Sequence, residues 1–299
     1  MYLPEEIPGA NVLITVKTYP LPSSKYDELV CTAGFLSDGK WIRIYPVPFR
    51  ALPYGNQYSK YHWVRVDLVR NRKDFRPESY RPKHDVESLH VGEKIDTGKN
   101  RDWQERKKYV LNEVFTFMEE IIRLAKSDAN KSLATLKPRR IEDLIIEPDE
   151  REWKQEWRDQ LLQYNLFDLD EQGQGKTRRI VRKLPYKYFY KFTSDGDTRP
   201  HRLMIENWEL GALYWRCYDK YNHDEKKANA LVREKYLDEF RTKDIYFFLG
   251  TTQLYHKIAS NPFIIIGLFV PPKSRNSALE DIPSSSLRTD GIQQQRLFD

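Results

Sequence analysis

Three short stretches alternate with a period of two, and this alternation limits the chain to folds built on sheets with two unlike faces. In Lys40-Trp41-Ile42-Arg43-Ile44-Tyr45, Ile42 and Ile44 fall on one side of an extended strand, and Trp41, Arg43 and Tyr45 on the other. In Trp63-Val64-Arg65-Val66-Asp67-Leu68, the valines and Leu68 oppose Trp63 and Arg65. In Tyr186-Lys187-Tyr188-Phe189-Tyr190-Lys191-Phe192, the lysines flank Phe189 on one face and tyrosines line the other. Successive strand side chains point to opposite faces, so each strand has an aliphatic or ring-rich core side and a side carrying cations and rings. A face of π-systems and cations suits stacked bases and phosphates.

Around these stretches the pattern predicts further strands. Residues 11–17 read as a first strand, closed by Pro20 and Pro22. Residues 29–35 and 40–47 read as a hairpin whose turn, Ser37-Asp38-Gly39, tolerates positive φ. Residues 63–69 follow a proline-rich connector, and 85–91 form a weaker fifth strand. Apolar residues at three- and four-residue spacing predict a helix over 103–126, with Asp102 as its N-cap, and another after Pro148. Strands are expected at 179–184, 186–192 and 202–206, then a helical region over 208–240 interrupted near Asn222-His223-Asp224, then strands at 244–250 and 263–270. Strand, strand, strand, helix, strand, strand is the order of an OB-fold barrel. The expected architecture is therefore α+β, two small OB-like barrels joined by a helical segment. Residues 1–98 form the first barrel, 99–176 the helical connector and linker, 177–272 the second barrel, and 273–299 a disordered tail.

Composition narrows the function classes. The chain has 299 residues, room for two domains, and carries 50 Lys and Arg against 44 Asp and Glu, a net +6 that permits a polyanionic partner. Two cysteines, Cys31 and Cys217, argue against a disulfide framework or a cysteine-rich zinc site and fit a reducing compartment. The N-terminus lacks the basic start and apolar run of a secretory signal, and the longest aliphatic run is too short to span a bilayer. A cytoplasmic protein without a membrane partner is expected.

The stretch Gly39-Lys40-Trp41-Ile42-Arg43-Ile44-Tyr45-Pro46 resembles the Gly-x-Trp-Ile-Arg-x-x-Pro signature of uncharacterised bacterial dual-OB proteins. That resemblance implies nucleic-acid binding, and it carries no catalytic residues across. The last seven residues contain Gln294-x-x-Leu297-Phe298, which resembles the Gln-x-x-Leu-Phe peptide by which bacterial replication proteins dock on the sliding clamp.

The candidate nucleic-acid-binding residues are Trp41, Arg43, Tyr45, Arg50, Trp63, Arg65, Arg72, Lys187 and Lys191, with DNA favoured over RNA. Three carboxylates are the candidates for chemistry. Glu206 and Glu209 stand three apart at a strand-to-helix junction, where they would share a face, and Asp244 precedes a strand. The phosphate-loop pattern fails, because Asp170 stands where Gly175-Lys176-Thr177 would need a glycine five residues earlier. The six histidines have no zinc-ligand spacing, so neither a metal nor a cofactor is expected. The favoured expectation is a nucleic-acid-binding protein of DNA maintenance or of defence against foreign DNA. The alternatives are a nuclease or base-removing enzyme and a protein-interaction scaffold.

Overall fold

A computed structural model describes residues 3–23, 27–47, 49, 52, 54–84, 89–155 and 181–273. Arg50, the clamp-like tail, and most of the helix expected after Pro148 lie outside them.

Strands β1 (Glu6–Lys17), β3 (Asp27–Leu36), β4 (Trp41–Val47), β5 (His62–Arg70) and β6 (Ser79–Pro82) close into a barrel. Short β2 (Leu21–Ser23) edges β3, and β7 (His90–Lys94) edges β5. Around the ring β1 pairs with β3, β3 with β4, β4 with β6, β6 with β5, and β5 returns to β1. All are antiparallel except β4 with β6. The expected hairpin is present: Leu36 N donates to Lys40 O at 2.9 Å across a turn with Gly39 at φ 78°. The aliphatic sides of β1, β4 and β5 fill the interior, with Val12, Ile14, Ile42, Ile44, Val64, Val66 and Leu68 all buried. Gly34 sits where β1 crosses closest, since a Cβ there would lie 2.1 Å from Leu13 O. Gly34→Ala must therefore push two strand backbones apart. It is expected to cost about 3 kcal/mol, as overpacking of a tight core does, read as a lowered urea midpoint.

The predicted 103–126 helix is two helices, α1 (Gln104–Val110) and α2 (Met118–Lys126), separated by a turn. Trp103, not Asp102, is the N-cap of α1; it adopts φ 63° and makes no side-chain capping bond. Apolar spacing continues through 111–117, but Phe115 leaves the helix to bond Thr135 O at 2.9 Å. After α2 come two strands that the helical-connector expectation missed, β8 (Leu133–Leu136) and β9 (Arg140–Pro148). Both are too short or too mixed in pattern to stand out until partners from later in the chain are present.

Those partners are β10 (Tyr186–Thr193), β11 (His201–Met204), β12 (Tyr246–Thr251) and β13 (Phe263–Phe269). They make two three-stranded sheets, ordered β11-β10-β9 and β13-β12-β8. The sheets touch where Glu206 N donates to Ile265 O at 2.8 Å. Among the described residues these two joined sheets stand where a second closed barrel was expected, and no second closed barrel is seen. Between β11 and β12 run α3 (Trp208–Lys220) and α4 (Glu225–Arg233), broken at Asn222 and His223 in positive φ as their sequence predicts. Asn207 caps α3, its Oδ1 accepting from Leu210 N at 3.0 Å, and Asp224 caps α4. A π-helical turn, Glu234–Glu239, follows. Tyr188, Tyr190 and Phe192 belong to the core of this second unit.

The outer face of the barrel is not free. Leu13, Val16, Ala33, Phe35 and Trp41 pack with Leu133, Phe248, Ile266 and Phe269 of the second unit in one apolar layer. Trp41 lies 4.0 Å from Phe35 and meets Phe248 edge-on at 5.2 Å, ring centroid to centroid. Among the described residues no helix is long and apolar enough to cross a membrane.

Candidate functional site

The proposed stacking platform is dismantled by this packing. Trp41 is 6% exposed and Arg43 2%, so neither can meet a strand of nucleic acid, and only Tyr45 of the three reaches solvent. Arg43 Nη1 donates to Ser79 Oγ at 3.0 Å and Ser132 Oγ at 2.9 Å, and Nη2 to Ser132 O at 3.3 Å. Beside it, Arg76 holds Asp74 through Nε–Oδ1 at 2.8 Å and Nη2–Oδ2 at 2.6 Å, and also donates to Thr251 O. Burial alone would raise the Asp74 carboxyl, but its bonds from Arg76 hold it below the usual carboxylate range. Burial first, then the neighbouring Arg76, pushes Arg43 down from the ordinary guanidinium value. Arg43 is a bolt between the two units.

The remaining sequence candidates are scattered and mostly neutralised. Trp63 packs edge-on against Tyr109 of α1 at 5.0 Å, while Arg65 is exposed. Arg72 pairs with Glu5 at 2.8 Å, Lys187 with Asp149 at 2.8 Å and Lys191 with Glu142 at 3.0 Å. The outward face of β10 is therefore a ladder of ion pairs rather than a field of free cations. The three carboxylates do not assemble either. Asp244 pairs with Lys137 and accepts from Tyr246 OH, and Glu209 pairs with Lys60 at 3.0 Å in a separate cleft. Burial raises the Glu206 carboxyl. Among the described residues no group of three His, Cys, Asp or Glu side chains is placed to hold a metal ion.

The structure instead gathers cations that are remote in sequence. A cleft of about 610 Å³ at the β8–β9 turn is lined by Lys137, Arg139, Arg140, Arg241, Lys243 and Lys273, with Asp244 its sole acid. Arg139 and Arg140 are exposed at the turn that carries the chain from β8 in one sheet to β9 in the other. Lys137 already neutralises Asp244. Arg241 is oriented by donating to Ile141 O at 3.0 Å, a bond to a neutral carbonyl that leaves its charge uncompensated. Arg139, Arg140 and Lys243 have no ion pair among the described residues. The sequence carried one weak sign of this site, the run Lys137-Pro138-Arg139-Arg140. Its partners Arg241 and Lys243 lie a hundred residues away and cannot be linked to it by spacing.

A second cleft, about 520 Å³, opens between barrel and second unit, lined by Lys60, Tyr61, Arg101, Trp103, Asn207, Glu209, Lys235, Phe240 and Lys243 among others. Lys243 borders both clefts. Behind it Lys17 is buried, its Nζ 4.1 Å from the Phe49 ring centroid, 4.9 Å from that of Trp208, and bonded to Tyr58 O at 3.1 Å. Burial pushes this amine down to about 8, against the pull of Glu209.

His256 locks the base of the β12–β13 loop. It is fully buried, with Nδ1 2.7 Å from Thr251 Oγ1 and Nε2 3.0 Å from Ala125 O. A neutral ring donating from Nε2 and accepting at Nδ1 satisfies both partners. Burial pushes its pKa below the ordinary value, with Lys257, Arg76 and Arg43 adding to the shift. The unfolded chain then binds the extra proton first, so stability is intact above about pH 6.5 and falls as the pH drops from there toward the lower folded value. His256→Gln should flatten this part of a melting-temperature profile recorded between pH 5 and 7.5. An unchanged slope would show that other groups set it.

The molecule is a two-domain α+β protein whose first domain is a closed five-stranded barrel. Residues 8–112 match a domain of unknown function, DUF8758, and residues 114–299 match a second, DUF8757. The chain belongs to the DUF8757 family. The two matches meet in the turn between α1 and α2, where α1 packs on the barrel through Arg106 over Tyr61 at 3.8 Å. No curated protein matches the chain.

Proposed function

We propose that the protein binds nucleic acid through the basic cleft at the β8–β9 turn. One observation carries this reading: Arg139, Arg140, Arg241 and Lys243 converge on a cleft whose single carboxylate is already paired. Four cations within one concave surface, without acids to answer them, fit the spaced charges of a phosphate backbone. The barrel bears on where a ligand could lie. Its strands close in the order first, second, third, fifth, fourth (β2 and β7 set aside), with the third and fifth parallel, and we read this closed barrel as OB-like. Oligonucleotides commonly lie on the face of the second and third strands of such a barrel. Here the second unit covers that face, and the ligand surface moves to the basic cleft. The test is the anisotropy of a labelled twelve-nucleotide single strand titrated with protein at several salt concentrations. Four phosphate contacts should give a log–log salt slope of about −3. No binding at low salt, or binding indifferent to salt, would overturn the proposal.

A further inference from the structure

We infer that the 520 Å³ cleft between the two units receives one unpaired nucleotide of the bound strand, its base beside Trp103 and Phe240 and its phosphate near Arg101 and Lys243. The inference rests on the nucleic-acid binding proposed above and assigns a second, base-recognising site to it.

Backbone conformation is the first sign. Among the described residues, six that are not glycine adopt positive φ, and three of them line this cleft: Tyr61 at 67°, Arg101 at 53° and Trp103 at 63°. Bulky residues rarely hold this conformation, and such strain persists where the surroundings enforce it, often at ligand sites. The opposite wall comes from the π-helical turn Glu234–Glu239, which presents Lys235, Tyr236 and Glu239, with Phe240 directly after it. Isolated π-turns are likewise frequent at functional sites.

Hydrogen bonding is the second. Asn207 is only 3% exposed. Its Oδ1 is occupied, accepting from Leu210 N at 3.0 Å and from Tyr236 OH at 3.2 Å. Its amide nitrogen meets no acceptor among the described residues, although the residue lines the cleft. An amide whose donors face the cleft can meet an acceptor from outside the protein, and the edge of a base offers carbonyl and ring-nitrogen acceptors.

Charge supplies the third. Lys60 is paired with Glu209 at 3.0 Å and Lys235 with Glu239 at 2.6 Å, which leaves Arg101 and Lys243 without an ion pair among the described residues. Two uncompensated cations suit one phosphate, and Lys243 also borders the basic cleft, so a strand tracking that cleft would enter here. The volume falls in the range of small-ligand pockets and is far too small for a duplex.

The experiment compares oligothymidylate with inorganic polyphosphate of similar length and charge, at one salt concentration. Base recognition predicts that the oligonucleotide binds on the order of tenfold more tightly, the range expected of one stacked base. Phe240→Ala should abolish that advantage and leave polyphosphate affinity unchanged. Bromodeoxyuridine placed in the strand and irradiated should crosslink the unaltered protein at Tyr61, Trp103 or Phe240, so the test stands even if the variant fails to fold. Equal affinity for both polyanions, or crosslinks lying only outside this cleft, would overturn the base site while leaving the basic cleft in place. Binding of neither polyanion would remove both.

Discussion

Replacing Arg43 with alanine is expected to destabilise the protein by about 4 kcal/mol while leaving the affinity of the folded fraction for an oligonucleotide unchanged. The side chain is 2% exposed and bonds Ser79 and Ser132 from the boundary between the two units. Its removal leaves both hydroxyls and a carbonyl short of a donor and opens a cavity where the guanidinium stood. A hydrogen bond from a charged donor contributes about 1.5–3 kcal/mol, and each buried acceptor left without a donor costs about 1–3 kcal/mol. One effect opposes the loss, because Arg76 is a like charge nearby and would be relieved. That relief is small, since Arg76 already donates two bonds to Asp74. Arg43→Met should cost less, because it keeps the aliphatic stem packed. Urea denaturation measures the first quantity and anisotropy the second. A variant as stable as the parent but unable to bind would return Arg43 to the binding surface.

The second large effect is expected from Arg139→Glu combined with Arg140→Glu and Lys243→Glu. Three of the four uncompensated cations in the basic cleft would become anions. Affinity for a single strand at low salt should fall about a thousandfold, and the salt slope should shrink by about 2, since each lost phosphate contact removes roughly 0.7 from it. The melting temperature should barely move, because Arg139 and Arg140 are exposed and unpaired among the described residues. Reversal of Lys187 and Lys191, two charges against three, is the control. Those lysines already answer Asp149 and Glu142, so changing them should disturb local ion pairs and not binding. An equal loss per reversed charge in the two variants would mean that net charge alone drives association.

These two outcomes divide along the same line as what could be read in the sequence. Alternation in Trp41 to Tyr45 located a strand correctly and assigned Ile42 and Ile44 to the barrel interior. It could not tell whether the opposite side meets water. Period two reports that two faces differ, and a ring-and-cation face is as suited to covering another sheet as to stacking a base. Trp41 covers Phe248, more than two hundred residues away, and Arg43 bonds the carbonyl and hydroxyl of Ser132. Strands β8 and β9 stayed hidden for a related reason. Leu133–Leu136 is four buried residues, a run too short to declare its period, and it becomes a strand by pairing with Phe247–Gly250.

By itself, then, the sequence determined the local elements: the β3–β4 hairpin through its Asp38-Gly39 turn, the break between α3 and α4 at Asn222-His223, and the tyrosine-rich core side of β10. These follow from backbone sterics and periodicity, which act over a few residues. Only the tertiary structure decided which faces are buried and which cations are left unanswered. Burial depends on what arrives from elsewhere in the chain, and a charge is free or neutralised according to its neighbours in space. Arg43 therefore became a bolt between units, and Arg139, Arg140, Arg241 and Lys243 became a concave surface with positive charge to spare.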